Sequence, residues 1–174
     1  MAPRLPVAVL FLALSTACAT TRVVRLDTGR GGAMSAERWV LEPEVAGELG
    51  DNTVLNTSVH PPVVSHFHHR FEGWLGDGLL TVFPCFLVSS ALAKALEEAR
   101  LVGFSLDEVE VSTSLEFQEL YPGRTLPEFR WLKITGKNRE ADFRLTQDFR
   151  LEVSSRALEV LKKFNIAHAE IESG

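Results

Sequence analysis

The residues best suited to chemistry in this 174-residue chain are histidines clustered near its middle. Four of them fall within ten residues: His60, His66, His68 and His69. In an extended strand, His66 and His68 lie on one face, and zinc sites use this arrangement. The third ligand would be His60, Glu72 or Asp77. However, the cysteine pairs and the HExxH spacing that are typical of zinc proteins are absent from the sequence.

The simpler interpretation is that these histidines are solvent-facing positions on an outer strand. We therefore expect no metal ion and no cofactor. His66 and His68, together with Trp74 a few residues later, are instead candidates for an interaction with a partner, because exposed aromatic side chains supply much of the energy of protein interfaces.

Candidate nucleophiles have a structural explanation as well. Ser89-Ser90 and Ser154-Ser155 each precede a helical pattern, and serine is a preferred residue at helix N-termini. No G-x-S-x-G motif, phosphate loop or dinucleotide fingerprint occurs. Cys85 lies in the apolar segment VFPCFLV and is expected to be buried. With no catalytic set in the sequence, we expect a protein that is not an enzyme.

The N-terminus is typical of an exported bacterial lipoprotein. One cation, Arg4, precedes the apolar run VAVLFLAL, and small residues then lead to Cys18. We expect a signal peptide over residues 1–17, lipidation at Cys18 and a tether over residues 18–33. The apolar run is much shorter than the roughly 20 residues that span a bilayer.

Two alternatives remain for this segment. Ala17-Cys18-Ala19 also fits an ordinary cleavage site, which would release a soluble exported protein without Cys18. Translation starting at Met34 would instead give a cytoplasmic protein. Lipidation at Cys18, the interpretation that we favour, predicts a membrane-anchored lipoprotein of the cell envelope.

The charge of the chain changes near residue 33. Residues 1–33 hold four cations and one acid, whereas the remainder has 14 cations and 22 acids, a formal charge of −8. Together with the glycines before Met34, this change predicts one globular domain over residues 34–174. Its acidic balance argues against nucleic-acid binding and suits a basic partner.

The domain shows one pattern twice. FLVSS leads into ALAKALEEAR and Gly103, and LEVSS leads into RALEVLKKF and Asn165. Each copy is interpreted as a strand, a capping serine, a helix and a left-handed terminating residue. Further strands are expected at 38–41, 63–74, 108–112, 129–135 and 166–171, with one helical turn at 115–120. The sequence therefore predicts an α+β fold, with a mixed or antiparallel sheet and two serine-capped helices in repeated β-α-β units.

This repeated block resembles an immunity-protein family encoded beside bacterial polymorphic toxins. The similarity covers roughly residues 82–172. The matching positions are Val88-Ser89, Leu92, Leu96, Gly103, Val153-Ser154, Leu158 and Leu161. The resemblance implies a non-enzymatic protein that binds and neutralises one cognate toxin. The alternative is a cell-envelope lipoprotein with an unrelated binding or structural role.

Overall fold

Thirteen strands and three α-helices make up residues 37–174, the part of the chain that the computed structural model describes. The predicted signal peptide, the tether and Cys18 lie outside these residues and stay predictions. Within the described part, no helix combines the length and the apolar character that crossing a membrane requires.

All of the strands are short, from 3 to 6 residues in length. In chain order they are β1 (Arg38–Glu42), β2 (Gly47–Leu49), β3 (Val54–Asn56), β4 (Val63–His66), β5 (His68–Phe71), β6 (Leu79–Val82), β7 (Cys85–Ser89), β8 (Phe104–Asp107), β9 (Glu110–Thr113), β10 (Phe129–Ile134), β11 (Phe143–Leu145), β12 (Leu151–Ser154) and β13 (Glu170–Ser173). The helices are α1 (Ser90–Glu98), α2 (Leu115–Leu120) and α3 (Ser155–Leu161), and a 3-10 turn, Lys162–Phe164, extends α3.

The strands form two four-stranded sheets, a three-stranded sheet and a hairpin. The four-stranded sheets have the orders β11-β12-β1-β13 and β6-β7-β10-β8, and all of their neighbouring strands are antiparallel. The three-stranded sheet, β2-β5-β9, contains the parallel pair β5 and β9. β3 and β4 form the hairpin. The expectation of an α+β fold with mixed or antiparallel sheets is therefore confirmed, and most of the pairing is antiparallel.

In each four-stranded sheet, two strands that are joined through a helix lie on either side of a third strand from elsewhere in the chain. β7 and β8, joined through α1, are both antiparallel to β10 and lie on either side of it. β12 and β13, joined through α3, flank β1 in the same way. The first strand of the domain is therefore central to the sheet that the last strand completes.

Strand β7 separates two hydrophobic cores. Phe86 and Val88 face the core that packs against α1 and α3, whereas Cys85 and Leu87 face a second core with Phe71 of β5. Successive side chains of a strand point to opposite faces, so a strand covered on both faces needs an unbroken apolar run. This requirement explains the apolar run CFLV of β7, and the predicted burial of Cys85 is confirmed.

Both long helices begin at a serine. The hydroxyl of Ser89 accepts a hydrogen bond from the backbone amide of Leu92 at 3.3 Å, and that of Ser154 accepts one from the amide of Ala157 at 3.1 Å. These bonds satisfy amides that have no partner within the first helical turn. The buried faces consist of Leu92, Ala93 and Leu96 in α1, and of Ala157, Leu158 and Leu161 in α3.

Three strand predictions are wrong in detail. The expected strand over residues 63–74 is two strands, because the chain leaves one sheet at Phe67 and enters another. The strand that returns after α1 is β8, whereas the predicted strand at 108–112 corresponds to β9 in a different sheet. The final strand begins only at Glu170, since the amide of Ala169 closes a turn on the carbonyl oxygen of Ile166.

Candidate functional site

An open cleft of about 470 Å³ lies where loops of both four-stranded sheets meet. The residue after β1, Pro43, and the β6–β7 turn contribute to its walls. The segment before β12 and the loops before β2, β6 and β13 also contribute to the walls. The strands that flank these loops pair in antiparallel sheets, and the sheets therefore position the walls of the cleft.

Apolar side chains are exposed around this cleft. Val45, Leu75 and Phe83 line it, and 70%, 60% and 52% of their surfaces are accessible to solvent. Phe149 also lines it, with a backbone φ of +65° that is unusual for a phenylalanine, and its ring packs edge-on against His60. Apolar side chains grouped on a surface are typical of an interaction site.

A single arginine holds three carboxylates at the edge of the cleft. The Arg150 guanidinium lies 3.2 Å from Glu42, 2.8 Å from Asp148 and 3.1 Å from Glu172. A hydrogen bond from Thr146 and the contact with Arg150 lower the pKa of Asp148, so this carboxylate stays ionised at neutral pH. Three carboxylates against one guanidinium leave a net negative charge.

A second group consists of Glu44, Asp77 and His168, of which Glu44 and His168 line the cleft. Asp77 is fully buried, and its carboxylate accepts hydrogen bonds from the backbone amide of His168 at 2.9 Å and from the ring atom Nδ1 at 2.8 Å. Glu44 is 6% exposed and accepts bonds from the amides of Leu75, at 2.6 Å, and Asp77, at 3.2 Å. The imidazole remains partly accessible and lines the cleft.

His66 and His68 lie away from the cleft, on β4 and on β5, the middle strand of the sheet β2-β5-β9. His66 Nε2 lies 3.0 Å from Glu110 Oε2, and Asn52 donates to the other oxygen of that carboxylate at 2.7 Å. These contacts lower the pKa of Glu110. His68 differs from the expectation of a solvent-facing side chain, because it is 6% exposed under the loop that contains Asn52.

The pair formed by His68 and Ser112 has the spacing of a base and a nucleophile but the opposite polarity. His68 Nε2 lies 2.7 Å from Ser112 Oγ, while Nδ1 accepts a hydrogen bond from the backbone amide of Asn52. Because Nδ1 accepts, the neutral ring carries its proton on Nε2 and donates it to the serine. Such a histidine cannot remove the hydroxyl proton, so the pair is a structural contact.

The alternative metal set of His66 and His68 with His60, Glu72 or Asp77 is not assembled in the described residues. Among residues 37–174, one group of three side chains brings potential metal-ligating atoms within 4.8 Å of one another, and it consists of Glu44, Asp77 and His168. Asp77, which the sequence offered as a third ligand for His66 and His68, belongs to this other group. Glu44 and His168 were missed, because neither lies in a motif.

The remaining candidates have partners within the fold. Trp74 donates from Nε1 to the carbonyl oxygen of Asp77 at 3.0 Å, and the Arg124 guanidinium lies 4.8 Å from the centre of its ring. An interaction through Trp74 therefore stays a prediction. Burial raises the pKa of Cys85 to about 12, which keeps its thiol protonated and unreactive.

Comparison of the chain with protein-family models, with curated proteins and with solved structures found no match.

Proposed function

We propose that this protein binds a partner protein through the cleft without doing chemistry, and that it acts as an immunity-type protein that neutralises a cognate bacterial toxin. The observation that carries the proposal is the combination of exposed apolar side chains with an excess of carboxylates in one cleft. A basic protein segment with apolar side chains is the complementary ligand.

The charge distribution supports this choice of partner. Glu42, Glu44, Asp148 and Glu170 line the cleft, and Arg150 is the guanidinium among them. The domain around them has a formal charge of −8 over residues 34–174. A net negative surface accelerates encounter with a basic protein, and salt weakens this effect because the screening length is about 8 Å at physiological ionic strength.

The framework supports the same class of protein. We interpret the two helix-linked strand pairs as two copies of one serine-capped β-α-β unit, each split by an antiparallel strand. The caps at Ser89 and Ser154 and the equivalent positions of β10 and β1 favour this interpretation. Ser89 and Ser154 are among the positions on which the resemblance to immunity proteins rests.

The proposed location follows from the N-terminal sequence alone. Lipidation at Cys18 would anchor the domain to a membrane of the cell envelope. Initiation at Met34 would place the same domain in the cytoplasm, which is where immunity proteins of this kind normally act.

Binding of the purified full-length protein to the product of a neighbouring toxin gene tests the proposal. We expect Val45→Lys, which adds a positive charge to the cleft, to weaken binding about tenfold or more. The matched control is Leu115→Lys on α2, since Leu115 is similarly exposed, at 73%, and does not line the cleft. We expect this control to bind as the wild type does.

Two further results bear on the mechanism. The association rate of the wild type should fall steeply as salt increases. Joint substitution of His66 and His68 should leave binding intact, unless the edge of β4 and β5 is the contact surface. If the protein binds no product of a neighbouring gene, the immunity proposal is wrong and the role of an envelope lipoprotein remains.

A further inference from the structure

Glu44, Asp77 and His168 present an unusual electrostatic arrangement beside the cleft. Two carboxylates lie together, with exposed fractions of 6% for Glu44 and 0% for Asp77. Among the ion pairs of the described residues, His168 is the partner of Asp77, and Glu44 has no cationic partner. At most one positive charge, on an imidazole, therefore offsets two buried negative charges.

Burying an ionised carboxylate costs several kcal/mol unless an opposite charge compensates for it. Backbone amides contribute part of this compensation, since they donate to both oxygens of Glu44 and to one oxygen of Asp77. Amides are neutral, however, so the group still carries excess negative charge. A divalent cation is the species that would balance it.

The donor atoms are suited to such an ion. The ligating atoms of the three side chains lie within 4.8 Å of one another, so a single ion placed among them could reach all three. Each carboxylate oxygen has two lone pairs, and a hydrogen bond to an amide leaves one of them free. Two carboxylates and one imidazole favour a first-row transition ion over Mg²⁺ or Ca²⁺, which prefer oxygen ligands alone.

The backbone around the group holds the three side chains in place. The side-chain amide of Asn165 donates to the carbonyl oxygen of Gly76 at 2.9 Å, and the amide of Gly78 donates to the carbonyl oxygen of Asn165 at 2.8 Å. A Cβ at Gly78 would lie 2.5 Å from the carbonyl oxygen of Phe164, so only glycine permits this approach. The loop of Asp77 and the loop of His168 are therefore joined independently of any ion.

We propose that Glu44, Asp77 and His168 bind a divalent transition-metal ion, of which Zn²⁺ is the chosen probe. The ion takes the place of the proton between His168 Nδ1 and Asp77 Oδ1. An imidazolium releases this proton to solvent, and a neutral ring moves it to Nε2, so the ligand is a neutral imidazole. Three protein ligands leave one tetrahedral position for water or for a group of a bound partner. The site shares Glu44 and His168 with the cleft, but the protein needs no toxin to bind the ion.

Titration of the chelator-treated full-length protein with Zn²⁺ alone, by calorimetry, tests the proposal. Co²⁺ serves as a second probe, because an ion bound by nitrogen and oxygen ligands shows visible absorption. We expect one ion per chain and a higher melting temperature with Zn²⁺. His168→Ala should weaken binding at least about tenfold, and its partly exposed side chain makes this variant the safest for folding. Glu44→Gln should weaken it as well.

The matched control is His66→Ala, because His66 is the other partly exposed histidine paired with a carboxylate. It should bind Zn²⁺ as the wild type does. The proposal is wrong if the wild type binds no ion, if His168→Ala binds as tightly as the wild type, or if His66→Ala abolishes binding. None of these outcomes depends on a toxin, so they are distinct from a failure of the proposed function.

Discussion

His69 should make the protein sensitive to acid. Its side chain is completely buried between the rings of Phe67 and Phe71, and neither ring nitrogen has a hydrogen-bond partner. Burial, with a smaller contribution from the neighbouring His68, lowers the pKa of His69 from 6.5 to about 4. The folded protein therefore holds this imidazole in its neutral form at every pH above about 4.

The sign of the effect follows from proton binding. Between pH 6.5 and 4 the unfolded chain binds a proton at His69 and the folded chain does not, so acidification favours unfolding. The stabilising contribution is complete above pH 6.5 and is lost as the pH falls through this window. With these two pKa values, the loss reaches about 2 kcal/mol by pH 5.

His69→Leu should remove this loss. Leucine is close to histidine in volume and has no polar atoms that require partners, so at pH 7.5 we expect the free energy of unfolding to rise by about 1 kcal/mol. At pH 5 the advantage should grow to about 3 kcal/mol, because the wild type loses stability at His69 and the variant does not. Urea denaturation at both pH values measures the two differences.

The control for this experiment is His66→Gln, which removes an exposed imidazole. Carboxylates with lowered pKa values, such as Asp148, weaken the fold in acid in the wild type and in His69→Leu alike. The diagnostic quantity is therefore how the stability difference between these two proteins changes with pH. If His69→Leu and the wild type lose stability in parallel between pH 7.5 and pH 5, the reasoning about His69 is refuted.

Three further predictions concern stability and location. Ser154→Ala should lower the free energy of unfolding by about 2–3 kcal/mol, because it removes the cap of α3 and a 2.7 Å hydrogen bond to buried Asp142. Ser89→Ala removes only the cap of α1, so it should lower the free energy of unfolding by about 1 kcal/mol. Equal losses in chemical denaturation would show that the bond to Asp142 is unimportant. A fragment of residues 35–174 should unfold cooperatively on heating, and a broad, non-cooperative trace would contradict the predicted domain boundary. Cys18→Ser should abolish membrane retention, and fractionation of the variant with the membrane after its leader is processed would rule out lipidation.

The local pattern of the sequence was sufficient for α1, α3, β1 and β10. The spacing of apolar residues in these elements and the capping serines of the helices are signals contained within a few residues of sequence. The tertiary contacts favour the same structure as these local signals do. The burial of Cys85 follows in the same way from its apolar segment. Pairing was not predictable: the strand before α1, β7, pairs with β6 and β10, and no local pattern of the sequence selects these partners.

The burial of His68 depends on a loop that is distant in sequence. A Cβ at Gly50 would lie 2.2 Å from His68 Nδ1, so the ring is covered only because residue 50 is glycine. The alternating pattern of residues around His68 does not indicate that this loop covers the ring. A residue on the outer face of a strand is exposed or buried according to what the rest of the chain places over it.

The group of Glu44, Asp77 and His168 could not be predicted from the sequence either, because its members are even further apart in the chain. Glu44 and Asp77 are 33 residues apart, and Asp77 and His168 are 91 residues apart. No local motif records their proximity, which arises from the meeting of three loops. The histidines that do cluster in sequence, such as His66 and His68, proved to contact Glu110 and Ser112 instead.

The central claim, that the cleft neutralises a toxin, is tested most directly by survival of cells that express the neighbouring toxin gene. Cells should survive when they also produce the wild-type protein or Leu115→Lys, and they should die when they produce Val45→Lys at the same level. The claim is contradicted if Val45→Lys protects as well as the wild type does, or if the wild type gives no protection.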